Sequence, residues 1–190
     1  MIDYVIPQDN EDEFISIAER LGYKDLCFLY KFEDYFDKRK RIKIGKAGIN
    51  VKIGILADSS SIYKIKNKLK GENVLVAIKG TANNKDILER LKPNILFSLE
   101  ENTRKDFIHQ RASGLNHIMC KIAKENDIAI GFSIKSILYV ENKRELLGRI
   151  AQNLNLCRKY KVKTIIASFA DNPLEMRYME DINRLFEKLL

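Results

Sequence analysis

Residues 106–134 read DFIHQRASGLNHIMCKIAKENDIAIGFSI. The pattern predicts a polar loop, an amphipathic helix over residues 114–125 and a buried strand over residues 128–134. The apolar face of that helix is predicted to contain Leu115, Ile118, Met119, Ile122 and Ala123. Ser113 is the predicted N-cap, and the free N–H groups of a helix that starts there would suit a phosphate over the loop.

Polar side chains concentrate in this loop and in the first turn of the helix more than elsewhere in the chain. They are Asp106, His109, Gln110, Arg111, Ser113, Asn116 and His117. The two histidines are the only ones in the sequence. We therefore expect this segment to bind a polar ligand.

The rest of the chain alternates apolar runs with helical patterns. Strands are predicted at residues 2–6, 25–32, 49–57, 73–79, 94–99, 128–134 and 163–169. A long helix is predicted over residues 143–160, and Pro173 is placed at the first position of the closing helix. Because most strands are near-continuous apolar runs, the sheet is predicted to be mainly parallel and covered by helices.

These elements predict one α/β domain over residues 1–190. The expected architecture is a distorted TIM-like (β/α) barrel, and the alternative is an open doubly wound sheet. In both architectures ligands bind at the carboxyl ends of the strands, which is where the loop before the central helix begins.

A dense basic run begins at Lys38 and continues through Arg41 to Lys43 and Lys46. Ile42 and Ile44 alternate with these cations, so residues 42–44 are a possible eighth, short edge strand. The run is either a second phosphate contact or a charged edge that blocks aggregation.

Net charge, apolar runs and cysteine content narrow the class of protein. The formal net charge is +8, which favours a polyanionic partner. No apolar run is long enough to cross a membrane, and the N-terminal residues do not form a secretory signal. Cys27, Cys120 and Cys157 are expected to be buried, reduced thiols, as in a cytoplasmic protein.

A metal-dependent hydrolase is one functional hypothesis. Its possible ligands at strand ends are Asp9, Asp58, Glu100, His109, His117 and Asp171. Two histidines eight residues apart, without an HxH or HExxH pattern, indicate such a site only weakly. GxSxG, GxGxxG and Walker A patterns are absent, so nucleophilic catalysis and nucleotide cofactors are not supported.

The basic side chains in and around this loop are better suited to binding RNA than to catalysis. Arg104, Lys105, Arg111, His117 and Lys121 surround the loop, and Lys79 and Lys135 end neighbouring predicted strands. Arginine can bind phosphate through two hydrogen bonds, and asparagine or serine can contact sugar or base edges. A structural alternative stays open, in which Arg111 pairs with Asp106 or Glu101, and Ser113 and Asn116 cap the helix.

The segment IHQRASGLNHIMCKIAKENDIAIGFSI resembles the family of the thirty-kilodalton protein subunit of archaeal and eukaryotic ribonuclease P. The residues that carry the resemblance are Arg111, Ser113, Gly114, Leu115, Asn116 and His117, then the Lys121–Ala123 helix and the strand with Phe132 and Ser133. The resemblance extends to the strand with Asp3 and Tyr4, to Ser168 and to Arg177. Ser168-Phe169-Ala170-Asp171 departs from the family's Ser-Ser-Gly-Ala-like run.

The resemblance implies a distorted barrel related to the polymerase and histidinol phosphatase superfamily, with the metal-binding histidines largely lost. Asp3-Tyr4-Val5 stands where such enzymes have an HxH strand. It also implies a subunit of a ribonucleoprotein that removes 5′ leaders from precursor tRNA. The RNA subunit would perform the chemistry with Mg²⁺, and a small protein subunit with an RNA-recognition-like fold would be the protein partner.

We therefore predict a cytoplasmic protein that binds ribonuclease P RNA, with no catalytic residue, metal site or cofactor of its own. The predicted RNA contacts are Lys79, Arg104, Arg111, Asn116, His117, Lys121 and Lys135. The alternatives are a metal-dependent phosphoesterase of the same superfamily and a scaffold that binds only proteins.

Overall fold

The computed structural model describes residues 2–41, 48–58, 60–69, 72–101, 105, 106, 108 and 111–189, and only the backbone of residues 62 and 66. Its seven strands are β1 (Ile2–Val5), β2 (Asp25–Lys31), β3 (Asn50–Ala57), β4 (Val76–Lys79), β5 (Ile95–Phe97), β6 (Ala129–Ser133) and β7 (Thr164–Ala167). They match the seven predicted strands, with ends that differ by a few residues.

Helices follow the strands in the chain. They are α1 (Glu11–Arg20), α2 (Phe32–Arg41), α3 (Ile62–Lys68), α4 (Asn84–Asp86), α5 (His117–Glu125), α6 (Ile134–Tyr139), α7 (Lys143–Tyr160) and α8 (Met179–Glu187). A π-helical turn at Ile87–Leu91 continues α4, and 3-10 turns occur at Leu99–Glu101 and Pro173–Glu175. None of the described helices is long and apolar enough to cross a membrane.

The sheet is parallel throughout, and its strands are ordered β1-β2-β3-β4-β5-β6-β7. A parallel bridge between Val5 and Ala170 joins the two ends of the sheet, with Ile6 N donating to Ala170 O at 2.7 Å. Strand order that follows chain order is typical of a barrel, whereas a doubly wound sheet reverses its order. The barrel prediction is therefore confirmed, with a nearly closed barrel of seven strands.

Asp3 strengthens the join between β1 and the end of β7. Its carboxylate accepts hydrogen bonds from Ser168 N and Ser168 Oγ, both at 2.7 Å. Burial raises the pKa of Asp3 to about 6, although these hydrogen bonds act in the opposite direction. A side chain thus supplies hydrogen bonds where the backbone ladder between the two edge strands is short.

The interior of the barrel is filled by one buried cluster with members from β1, β2, β4, β5, β6 and β7. These members include Tyr4, Leu29, Ala77, Ile95, Phe97, Ala129 and Ala167, together with Phe169. Two larger clusters lie between the strands and the surrounding helices. All three cysteines are free and buried, as predicted.

Several element predictions are wrong. Lys38–Arg41 form the last turn of helix α2, which the sequence analysis did not predict; the possible edge strand over residues 42–44 lies outside the described part of the chain. The strand predicted to reach residue 134 ends at Ser133, whose side chain accepts from Ser136 N at 3.3 Å and caps α6. Pro173 opens a 3-10 turn, and the closing helix begins only at Met179.

Candidate nucleic-acid interface

The loop before α5 is attached to α7 by amide side chains. Gln152 Nε2 donates to Ser113 Oγ at 2.8 Å and to Arg111 O at 3.3 Å. One residue later, the buried Asn153 donates through Nδ2 to Ser113 O at 2.8 Å. Ser113 therefore links the loop to α7 and does not cap α5, contrary to the prediction.

Gly114 allows the loop to approach the end of β5. It has a φ of +76°, and a Cβ at this position would lie 2.2 Å from Leu99 O. Asn84 also holds this residue, since its Nδ2 donates to Gly114 O at 3.1 Å. Only glycine fits both the left-handed backbone and the close contact.

A buried arginine organises the space under the loop. Arg149 on α7 donates through Nε to Asp106 Oδ1 at 2.8 Å and through Nη1 to Glu100 O at 3.3 Å, and it also pairs with Glu145. Burial raises the pKa of Asp106, but the hydrogen bonds from Arg149 and Ala112 N outweigh it and leave that pKa below its ordinary value. The ion pair thus fixes the start of the loop on α7.

The first turns of α5 carry exposed polar side chains. Asn116 is the N-cap, because its Oδ1 accepts from Met119 N at 2.9 Å. His117 and Lys121 are exposed, and their spacing of four residues places them on one face of the helix. Neither forms an ion pair with any residue that the structure describes.

Four of the predicted RNA contacts therefore lie close together in the chain and in space. We call Arg111, Asn116, His117 and Lys121 the α5 surface. Arg111 and Asn116 also line a cleft of about 600 Å³ between this loop and the segment after β4. Ile118, predicted to lie on the apolar face of this helix, is 47% exposed, so its place on the buried face is wrong.

Lys79 and Lys135 lie elsewhere, at the mouth of the barrel. Lys79 Nζ is 2.5 Å from Glu101, and Lys135 pairs with Asp171 and lies 3.8 Å from Glu175. Lys79 is the last residue of β4, and Lys135 lies two residues after the end of β6. Strand β5 lies between β4 and β6, so the two strands are not neighbours, contrary to the prediction. Arg104 lies outside the described residues.

The mouth itself is an open cavity of about 1320 Å³. The rings of Phe97 and Phe169 stack within its lining, with centroids 4.1 Å apart. Lys31, Lys64 and Lys105 also line it, and none of the three has an ion-pair partner in the described ranges. Lys31 did not stand out in the sequence because it is a single lysine in an apolar strand, and Lys64 did not because it is one of four lysines, at positions 64, 66, 68 and 70, in an ordinary helix pattern.

Glu100 is a buried acid in the wall of this cavity. Its side chain lies beside Asn153, and neither the carboxyl oxygens nor Asn153 Oδ1 has a hydrogen-bond partner among the described residues. Burial raises the pKa of Glu100 to about 8. A neutral carboxyl would supply the donor that Asn153 Oδ1 lacks, so we expect Glu100 to be protonated at neutral pH.

Glu100→Gln is expected to flatten the dependence of stability on pH. The folded chain keeps a proton that the unfolded chain loses above its pKa near 4.5, so stability falls as the pH rises towards about 8, by about 5 kcal/mol at most. Denaturant unfolding at about pH 6.5 and about pH 8.5 tests this, since Asp3, with a pKa of about 6, is mostly ionised in that range and is unchanged in the variant. Glu19→Gln, an exposed control, should keep the wild-type dependence. An equally steep dependence in Glu100→Gln would contradict the assignment.

Comparison with known protein families assigns the chain to one of them. A family model described as RNase P subunit p30 matches residues 1–189. The chain belongs to the RNase P subunit p30 family. This agrees with the resemblance carried by residues 111–117.

Curated relatives of this p30-family chain are named ribonuclease P protein component 3. The protein of Methanosarcina mazei is 27% identical over 175 residues, which covers 87% of this chain and 69% of that protein. That of Methanocaldococcus jannaschii is 24% identical, covering 95% of this chain and 79% of the relative. The protein of Methanosarcina barkeri is 36% identical, but the match spans only 35% of its length.

Solved structures show the same fold. A chain in a cryo-EM structure of archaeal ribonuclease P with mature tRNA superposes with a TM-score of 0.74 at 21% identity, covering 100% of this chain and 83% of that chain. A Lactococcus lactis histidinol phosphate phosphatase, complexed with zinc, L-histidinol and phosphate, superposes with a TM-score of 0.68 at 12% identity, covering 99% and 93%. Both matches support the barrel.

The carboxylates predicted as possible metal ligands have other partners in this p30-family chain. Asp9 lies 2.5 Å from Lys38, Asp58 accepts from the backbone of Ser60 and Ser61, and Asp171 pairs with Lys135. In the part of the chain that the structure describes, no three His, Cys, Asp or Glu side chains are grouped so that they could hold a metal ion. His109 lies outside that part. Among the described candidates, Asp9, Asp58 and Asp171 are therefore engaged by lysines or backbone amides.

Proposed function

We propose that this chain is a protein subunit of ribonuclease P that binds and stabilises the catalytic RNA during removal of 5′ leaders from precursor tRNA. The match of the family model to residues 1–189 carries this proposal. Curated relatives named ribonuclease P protein component 3 support it. The metal-dependent phosphoesterase has weaker support, because the carboxylates at the mouth are used by lysines and backbone amides.

The α5 surface is the proposed RNA contact. Arg111 can bind one phosphate through two guanidinium N–H donors, while His117 and Lys121 extend the contact along α5. Asn116 uses Oδ1 for its own helix, which leaves its amide donor for sugar or base edges. The net charge of +8 favours association with RNA over the whole molecule.

The physical effect of such contacts is charge neutralisation. Structured RNA crowds phosphates together, and each bound side-chain cation releases a counterion that would otherwise be needed there. We infer that the chain lowers the concentration of Mg²⁺ at which the RNA adopts its active structure. The Mg²⁺ belongs to the RNA subunit in this proposal, and the protein binds no cofactor.

The proposed partners are ribonuclease P RNA, precursor tRNA and a small subunit with an RNA-recognition-like fold. Lys79, Lys135 and Arg104 are proposed as further RNA contacts; for the first two, RNA would have to compete with Glu101 and Asp171. Three free, buried cysteines suit a reducing compartment, so the proposed location is the cytoplasm.

Arg111→Ala is expected to weaken binding to the cognate ribonuclease P RNA about fivefold to tenfold and to lower the salt slope by about 0.7–0.9. The reconstituted enzyme should then need more Mg²⁺ for half-maximal cleavage of precursor tRNA. Salt-titrated RNA binding and cleavage measured against Mg²⁺ check both effects. The matched control is Arg20→Ala, since Arg20 is exposed on α1 and forms no ion pair with described residues.

Equal RNA affinity and equal Mg²⁺ requirement for Arg111→Ala and Arg20→Ala would remove the α5 surface from the proposal. Hydrolysis of a phosphoester by the isolated protein, together with a bound metal in elemental analysis, would instead favour the phosphoesterase. A chain that binds the small subunit but no RNA at any salt concentration would be a protein scaffold.

A further inference from the structure

Arg111 lies against a glycine of α7. A Cβ built on Gly148 would be 2.4 Å from Arg111 Cζ, 2.6 Å from Nη1 and 2.9 Å from Nε. Real Cβ atoms do not approach other heavy atoms so closely, so the guanidinium occupies the space that any other side chain at position 148 would need. Gly148 is the sixth residue of α7, a helix of 18 residues.

Other contacts hold Arg111 in the same place. Its Nη1 is 3.4 Å from Asp106 Oδ2, and Asp106 is itself fixed by Arg149 at 2.8 Å. The backbone carbonyl of Arg111 accepts from Gln152, one turn after Gly148 on the same helix. With one part of the guanidinium against α7, the side chain is still 47% exposed, so the remaining donors are available to a ligand.

The glycine is unfavourable for the helix that contains it. Glycine in a helix interior is less stable than alanine, because it loses more conformational freedom on folding. No turn requires it here, since position 148 lies inside a continuous α-helix. The contact with Arg111 is therefore the structural feature that needs a glycine at this position.

We propose that Gly148 is a positioning residue that holds the guanidinium of Arg111 in the orientation that binds an RNA phosphate. This inference rests on the proposed function, and it adds a residue that contacts no RNA itself. Because the group in the way is the end of a flexible side chain, Gly148→Ala moves Arg111 and leaves the fold intact.

A double-mutant cycle tests the proposal. Gly148→Ala should raise the melting temperature by about 1–4 °C and yet weaken binding to in vitro transcribed cognate ribonuclease P RNA about twofold to fivefold. In the Arg111→Ala background, Gly148→Ala should leave the affinity unchanged, because the group that it displaces is absent. A purely structural role for Gly148 would give the same loss in both backgrounds.

A second measurement uses the free protein. The Nε–H signal of Arg111 in NMR spectra should show a restrained side chain in the wild type and a mobile one in Gly148→Ala. Arg111→Lys keeps the charge but lacks the planar group, so its RNA affinity should fall to about the level of Gly148→Ala.

Each alternative result has a separate meaning. If Arg111→Ala weakens binding and Gly148→Ala does not, the positioning role is wrong while the α5 surface stands. If Gly148→Ala weakens binding equally in both backgrounds, its effect does not pass through Arg111 and the proposal is overturned. If Arg111→Ala itself has no effect, the proposed RNA contact fails and the inference fails with it. If Gly148→Ala destabilises the fold, the NMR measurement on the wild-type protein decides instead. An unrestrained Nε–H signal of Arg111 in the wild type would then overturn the proposal.

Discussion

Replacement of Gly114 by alanine is expected to lower the free energy of unfolding by about 3 kcal/mol or more. The new Cβ would lie 2.2 Å from Leu99 O and 2.9 Å from Leu99 C, so backbone must move on one side or the other. The φ of +76° adds the strain of a left-handed alanine. Denaturant unfolding measures the loss, and RNA affinity should fall as well, because the loop carries Arg111.

Gly22→Ala is the matched control for this substitution. Gly22 also has a positive φ, of +71°, but the nearest atom to an added Cβ is the Tyr178 hydroxyl at 4.0 Å. The control therefore contains the backbone strain without the steric clash, and it should cost about 1–2 kcal/mol. Equal losses in Gly114→Ala and Gly22→Ala would mean that the contact with Leu99 is unimportant.

Replacement of Arg149 by methionine is expected to destabilise the chain by about 3–5 kcal/mol. Arg149 is 5% exposed, and its removal leaves Asp106 and Glu145 without their shared cation and Glu100 O without a donor. The attachment of the loop to α7 is then weakened, so the RNA affinity should also decrease. Equilibrium unfolding and salt-titrated RNA binding measure the two effects.

Lys163→Met provides the comparison, because it removes a cation from an exposed ion pair with Asp127. The side chains of Lys163 and Asp127 are 64% and 74% exposed, and exposed pairs of this kind contribute little to stability. A loss for Arg149→Met as small as that for Lys163→Met would show that the Arg149 network does not stabilise the loop.

The sequence predicts the barrel strands well because each is a short apolar run next to a turn signal. It fails at α2 and α6, which begin directly where β2 and β6 end. No glycine, proline or polar turn separates strand from helix at Phe32 or at Ile134, so local sequence contains little that marks the change. Ser133 caps α6, but a single serine is too common to be a reliable signal.

The candidate site is only partly predictable. The polarity of residues 111–117 indicates a binding loop, and four of the predicted contacts form the α5 surface. Which polar residue caps α5 depends on how Ser113 binds to α7, and that contact joins residues 39 positions apart. The buried Arg149 and the role of Gly148 also depend on long-range contacts, and in the sequence both residues resemble ordinary members of an amphipathic helix.

The most direct test of the central claim is cleavage of precursor tRNA by reconstituted ribonuclease P at limiting Mg²⁺, with and without this chain. The cognate RNA and the other protein subunits are present in both reactions. We predict that adding the chain shifts the half-maximal Mg²⁺ concentration to a lower value, while the chain alone cleaves nothing. Identical Mg²⁺ dependence with and without the chain would contradict its role as an RNA-stabilising subunit.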